Sequence, residues 1–194
     1  MPSYTGINHL VFATPDIEET IRFWRDLLGL RLLLGMGRPG LRHYFFEVSE
    51  RDMIAFFEWS GVERIPERDH GVPVKGPFGF DHVSLDTASL EDLWELYDTL
   101  DAAEFWVSEI IDHGFIHSLY AFDPNNIPIE FSAPSKVDIR AEPRMLDRDP
   151  PPVAMEGADP VPGIWPEVKH PTPVEERRTY PGETLSQLKG EDDS

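Results

Sequence analysis

Two histidines and two glutamates recur at matching places in the first 134 residues. His9 stands in Ile7-Asn8-His9-Leu10-Val11-Phe12, and His82 stands 73 positions later in Phe80-Asp81-His82-Val83-Ser84-Leu85. Glu58 lies in Phe56-Phe57-Glu58-Trp59 and Glu130 in Ile127-Pro128-Ile129-Glu130-Phe131. A buried, unpaired carboxylate costs several kcal/mol, so each glutamate needs a positive partner. No Lys or Arg lies within these four segments. A single His or Glu in an apolar run is ordinarily a hydrogen-bonded core residue. Two of each, repeated in register in a chain with no cysteine, point to a metal instead. Two imidazoles and one carboxylate make a facial triad, with positions left open for substrate and O2 on Fe(II) or Mn(II). Both carboxylates together make a four-ligand site for Zn(II), Ni(II), Mn(II) or Mg(II).

The repeat extends beyond these residues. Thr14 matches Thr87, Ile17 matches Leu90, Glu18 matches Glu91, Trp24 matches Tyr97 and Leu27 matches Leu100. Each half opens with a short β-type run and enters a helix through a capping signal, Thr14-Pro15-Asp16 or Thr87-Ala88-Ser89. Ile17, Ile21, Trp24 and Leu28 share one helical face, as do Leu90, Trp94, Tyr97 and Leu100. Strands are expected at 31–34, 44–48 and 53–59 in the first half, and at 104–109, 118–122 and 128–132 in the second. The fold class is therefore α+β: two βαβββ modules, about 5–62 and 78–134, pairing into a curved mixed sheet around a metal cleft. Residues 63–79 link them. His70 in the linker and His170 in the tail fall outside the repeat and receive no role.

Composition limits the partners. The 194 residues hold 17 basic and 36 acidic side chains, a formal charge of −19, and residues 1–134 alone hold 9 and 23. Such a field repels nucleic acid and anionic membranes. Without cysteine there are no disulfides and no thiolate metal sites. No run approaches a membrane span and the N-terminus lacks a signal-peptide profile, so a cytoplasmic location is expected. Of 19 prolines, 11 fall from Pro134 onward. Residues 135–194 therefore read as an extended Pro-rich C-terminal arm. Its Trp165 is expected to pack on the domain 1–134 or across the interface of a homodimer.

This pattern resembles the vicinal oxygen chelate superfamily, which includes glyoxalase I, extradiol dioxygenases, fosfomycin resistance proteins and bleomycin resistance proteins. The resemblance covers roughly residues 5–134. It implies metal ligands on the first, fifth and eighth strands, matching His9, His82 and Glu130, and a further glyoxalase-type ligand matching Glu58. A second motif resembles the extradiol dioxygenase signature: Ile111-Asp112-His113, then Leu119-Tyr120-Ala121-Phe122-Asp123-Pro124-Asn125-Asn126, closing at Glu130. Asn126 stands where that signature has Gly or Pro, and Asn tolerates the positive φ such a turn demands.

On this resemblance His113 handles a substrate hydroxyl proton and Tyr120 donates a hydrogen bond to a substrate oxygen. His117, four residues after His113 on a continuous strand, is the alternative to His113. The His43, Tyr44, Phe45-Phe46 and Phe56-Phe57 aromatics divide between pocket and core. The leading expectation is a metal-dependent, ring-cleaving dioxygenase using Fe(II) or Mn(II), O2 and a small catecholic substrate. The second is a glyoxalase- or epimerase-type lyase or isomerase with Glu58 as fourth ligand on Zn(II) or Ni(II). The third is a non-catalytic drug-binding resistance protein.

Overall fold

Strand, helix and three further strands form twice in succession. The computed structural model describes residues 5–76, 80–182 and 188–189. The first module runs β1 (His9–Thr14), α1 (Ile17–Ile21), β2 (Arg31–Arg38), β3 (Leu41–Glu47) and β4 (Met53–Trp59). The second runs β5 (Val83–Asp86), α2 (Leu90–Ala102), β6 (Ile111–Asp112), β7 (Ile116–Phe122) and β8 (Pro128–Pro134). Each module makes one four-stranded mixed sheet, ordered β1-β4-β3-β2 and β5-β8-β7-β6. The histidine-led strands β1 and β5 are thus edge strands, each parallel to the last strand of its module.

The capping residues act as the sequence implies. Asp16 accepts from the Glu19 amide at 3.0 Å, and Ser89 accepts from the Asp92 amide at 3.3 Å. After α1 the chain winds more widely as a π-helix over Arg22–Leu27. Leu28 N bonds Phe23 O, five residues back. Consecutive Phe23 and Trp24 in this segment both reach the core.

The expected strand at 104–109 does not form a ladder; only Val107 bridges, to Ala121. Phe105, Val107 and Ile110 pack against the core instead, so that segment's apolar residues are buried without pairing. Pairing begins later, with Ile111 opposite Ser118 and Asp112 opposite His117.

One hydrophobic core spans both modules. It joins Ile17, Trp24, Phe46, Ile54 and Phe56 to Leu93, Leu100, Leu119, Ile129 and Phe131. A buried polar network also crosses between them. Thr14 Oγ1 lies 2.8 Å from both Thr20 Oγ1 and Asn125 Oδ1, and Trp24 Nε1 donates to Asp123 Oδ2 at 3.3 Å. Asp123 also accepts from the Asn125 and Ile127 amides at 2.8 and 2.9 Å. Asn126 takes the left-handed φ of +62° that its place in this turn requires.

The chain divides into two compact units, 1–137 and 138–194. Short 3-10 turns at Pro152–Glu156 and Val174–Glu176 are the regular structure assigned between residues 138 and 182. Within this unit Leu146 and Trp165 are both 84% exposed. Among the described residues, no helix is long and apolar enough to cross a membrane.

Candidate metal and substrate site

Alternation along β5, β7 and β8 divides the second module's residues between two faces. Val83, Leu85, Leu119, Ala121, Ile129 and Phe131 enter the core. Their neighbours Ser84, Ser118, Tyr120, Glu130 and Ser132 take the other face, and a polar cluster forms there around Glu130. His82 Nε2 lies 2.9 Å from Glu130 Oε2. Ser118 Oγ donates to Glu130 Oε1 at 2.5 Å, and Tyr120 Oη donates to the same oxygen at 3.3 Å. His113 Nε2 meets Tyr120 Oη at 3.1 Å. His82 and Glu130 are thus together, as are Tyr120 and His113.

Behind His82, its Nδ1 lies 2.8 Å from Asp81 Oδ2. That carboxylate also takes the Gly71 amide and Arg68. The repeat's other histidine has a similar neighbour: His9 Nδ1 lies 2.7 Å from Asn8 Oδ1. Asp81 and Asn8 were not singled out from sequence. An oxygen-bearing side chain immediately before each repeated histidine was the available signal, because it fixes the ring's tautomer and orientation.

The electrostatics follow from these contacts. Burial raises Glu130's pKa, but the Ser118 hydrogen bond and the charge of His82 outweigh it, and the net shift is downward. Asp81 is held at about 2, first by the His82 contact and then by the Gly71 amide. Tyr120 is pushed up, chiefly by burial and then by the Glu130 charge. At neutral pH the site therefore holds two carboxylates and a neutral phenol.

Glu58 is placed elsewhere. It pairs with Thr14 at the far end of β1 from His9, on the face shared with Ile54 and Phe56. The positive partner it requires is Arg42 on β3, at 2.8 Å. Its other oxygen faces the Ile17 amide at the start of α1, at 3.4 Å.

His117 is not brought to Tyr120 either. The chain turns back at Gly114 (φ +84°), so His113 and His117 lie on different arms of a hairpin. His117 falls on the Leu119 face, with Nε2 3.9 Å from Asp112 and a buried Nδ1 that finds no hydrogen-bond partner among the described residues.

His9 is exposed, its ring edge-on to Phe45 with centroids 5.4 Å apart. Around it the open face of the first sheet carries aromatic groups. His43 stacks on Phe57 (3.7 Å, 16°) and lies 4.3 Å from Phe45. Phe46 and Phe56 point the other way and are fully buried. Burial, and then the nearby His9, lower the His43 pKa, and the buried His43 Nε2 has no hydrogen-bond partner among the described residues. Among the described residues, no three His, Asp or Glu side chains converge closely enough to hold a metal as a set. A cavity of about 350 Å3 lies between β1 and the Asn125–Ile127 turn, lined by Val11, Phe12, Ile65 and Phe80, and it includes none of the histidines.

His82 and Glu130 are two donors of the kind a metal centre uses, with Asp81 behind the His82 ring. A carboxylate fixes one ring nitrogen of His82 and leaves the other facing a second, ionised carboxylate.

Comparison with known proteins agrees with the fold. The sequence profile of the Glyoxalase/Bleomycin resistance protein/Dioxygenase superfamily matches residues 6–131. The biphenyl-2,3-diol 1,2-dioxygenase of Paraburkholderia xenovorans (strain LB400) is 29% identical over 136 residues, covering 65% of this chain. The chain spans only 40% of that relative's length. A glyoxylase/bleomycin resistance protein/dioxygenase domain from Frankia sp. EAN1pec superposes with a TM-score of 0.58, at 21% identity over 69% of this chain and 100% of that one. Lactoylglutathione lyase from Agrobacterium tumefaciens gives 0.51, at 21% identity over 68% and 96%. The fosfomycin resistance protein FosX from Mesorhizobium loti gives 0.53, at 15% identity over 72% and 100%. With the profile covering most of the chain and the duplicated βαβββ fold in place, the protein belongs to the Glyoxalase/Bleomycin resistance protein/Dioxygenase superfamily.

Proposed function

We propose that this chain is a metal-dependent dioxygenase of the ring-cleaving type, acting on a small catecholic substrate. The observation that carries this reading is the contact of His82 with Glu130 beside Tyr120 and His113 on one sheet face. The similarity to a biphenyl-2,3-diol dioxygenase supports the substrate class. His82 and Glu130 would hold Fe(II) or Mn(II), without His9, which no triad of described side chains includes; such an ion supplies Lewis acidity and a redox partner for O2.

The remaining chemistry belongs to the chain's own side chains. Asp81 keeps His82 Nδ1 engaged and so presents Nε2 to the site. Ser118 holds Glu130 in one rotamer through a short hydrogen bond. Tyr120, a phenol whose pKa is raised, keeps its proton and offers it as a hydrogen bond to a substrate oxygen. His113, 3.1 Å from Tyr120 Oη, receives a diol proton directly or through that hydroxyl. The lyase reading needs Glu58 beside the other ligands, and its pairing with Arg42 on the opposite face speaks against that.

The test is oxygen uptake by protein loaded anaerobically with Fe(II) or Mn(II), then mixed with biphenyl-2,3-diol or catechol in air. The reading expects O2 consumed one-for-one with diol lost. Metal-loaded protein that consumes no O2 with any vicinal diol overturns it.

A further inference from the structure

Tyr120 shares a sheet face with Glu130 and is only 5% exposed. One face of its ring is covered by the linker. The His70 imidazole stacks on the phenol ring with centroids 3.5 Å apart and planes 7° from parallel, and meets His82 edge-on at 6.0 Å. Among the described residues, the His70 ring nitrogens make no hydrogen bond, and the ring is ordered by its stacking on Tyr120. We propose that residues 64–76 form a strap over the His82–Glu130 face with His70 as its plug, occupying the aromatic shelf on Tyr120 that a planar substrate ring takes up when it binds.

The way the strap is fastened fits a part that moves. Residues 64–76 contain no strand or helix. Near the site the Asp81 carboxylate fastens them: it accepts from the Gly71 amide at 3.0 and 3.1 Å and from Arg68 at 3.1 Å. Arg68 also donates to Val72 O at 2.9 Å, which tightens the turn that presents His70. Farther back, Asn126 Nδ2 donates to Ile65 O, and a cavity lies beneath Val62–Ile65. These are polar bonds that water can replace, unlike the packed ladders on either side.

The same Asp81 carboxylate holds His82 Nδ1, so docking of the strap and orientation of the histidine share one anchor. A catechol or biphenyl ring presents a larger face to Tyr120 than an imidazole does, and it displaces the plug by mass action. The closed strap in turn lowers apparent affinity in proportion to the fraction of molecules that are open.

The substrate class here rests on the catecholic reading above, so one arm of the test needs no ligand. In hydroxyl-radical footprinting of the ligand-free full chain, Tyr120 is expected to be protected in the wild type and in His70→Phe. In His70→Ala its labelling should rise severalfold. In the second arm, biphenyl-2,3-diol is titrated anaerobically into the Mn(II)-loaded proteins. A strap closed in roughly nine molecules of ten predicts binding about tenfold tighter in His70→Ala and in Arg68→Ala, with no gain in His70→Phe. Hydrogen exchange at the Gly71 amide should quicken when diol is added to the wild type.

Unchanged Tyr120 labelling in His70→Ala overturns the strap, and so does diol binding that weakens in that variant. If no protein binds the diol, the catecholic reading fails, and the labelling result alone decides for or against the strap.

Discussion

Ala55 stands in β4 where Glu130 stands in β8. Each pairs across its parallel strand with the residue two beyond the repeated histidine, Val11 for Ala55 and Ser84 for Glu130. The first sheet therefore has the architecture of the second without its carboxylate. Glu58 sits three positions past Ala55, an odd number, and a strand turns such a residue to the opposite face.

Substitution of the two glutamates separates their roles. Glu130→Gln is expected to weaken Mn(II) binding by at least an order of magnitude in calorimetric titration. Glu58→Gln should leave it unchanged and cost about 1 kcal/mol of stability through the half-buried Arg42 pair. Equal loss of affinity in both variants contradicts the register.

Asp81 does not face the metal in this account, but it aims the histidine that does. Asp81→Asn is expected to lower Mn(II) affinity about 10- to 100-fold, the usual effect of losing a ligand's outer partner. The check is the same titration, with chain folding confirmed by circular dichroism.

Tyr120→Phe removes one hydroxyl that meets both Glu130 and His113. Metal affinity should stay within about threefold of the wild type, while kcat for diol-dependent O2 uptake falls about 100-fold, the low end of acid–base effects. A fall in KM affinity alone, with kcat kept, would place Tyr120 in binding rather than in proton handling.

The buried Asp123 gives a pH-dependent prediction. Burial pushes its carboxyl above the ordinary value, against four hydrogen bonds that favour the charged form. Its folded pKa therefore exceeds its unfolded one, so the unfolded chain binds fewer protons above about pH 4. The contribution of Asp123 to stability is then complete below that pH and declines as pH rises through the folded pKa. Urea unfolding should show the stability gap between wild type and Asp123→Asn narrowing from pH 4 to pH 7. A gap that widens over that range contradicts the assignment.

Much of this was legible in the sequence. The repeat located the strand–helix openings of both modules and both helix caps, because periodicity and capping are local properties. Strand alternation alone divides Phe45-Phe46 and Phe56-Phe57 between the two faces, and burial makes Phe46 and Phe56 the inward members. Glu58 was misleading because similar spacing in two halves does not fix strand register, and β4 and β8 are offset from the repeated histidines by different amounts. The placement of His117 assumed an unbroken strand from His113, where Gly114 reverses the chain. His70 was invisible for another reason: an irregular linker has no periodicity from which to read a contact with Tyr120.

The most direct test of the central claim is Mn(II) titration of the full chain, followed by electron paramagnetic resonance, in wild type and His82→Ala. One ion per chain is expected in the wild type, with nitrogen coupling in its signal, and loss of both in His82→Ala. An identical signal and affinity in the two proteins would contradict it.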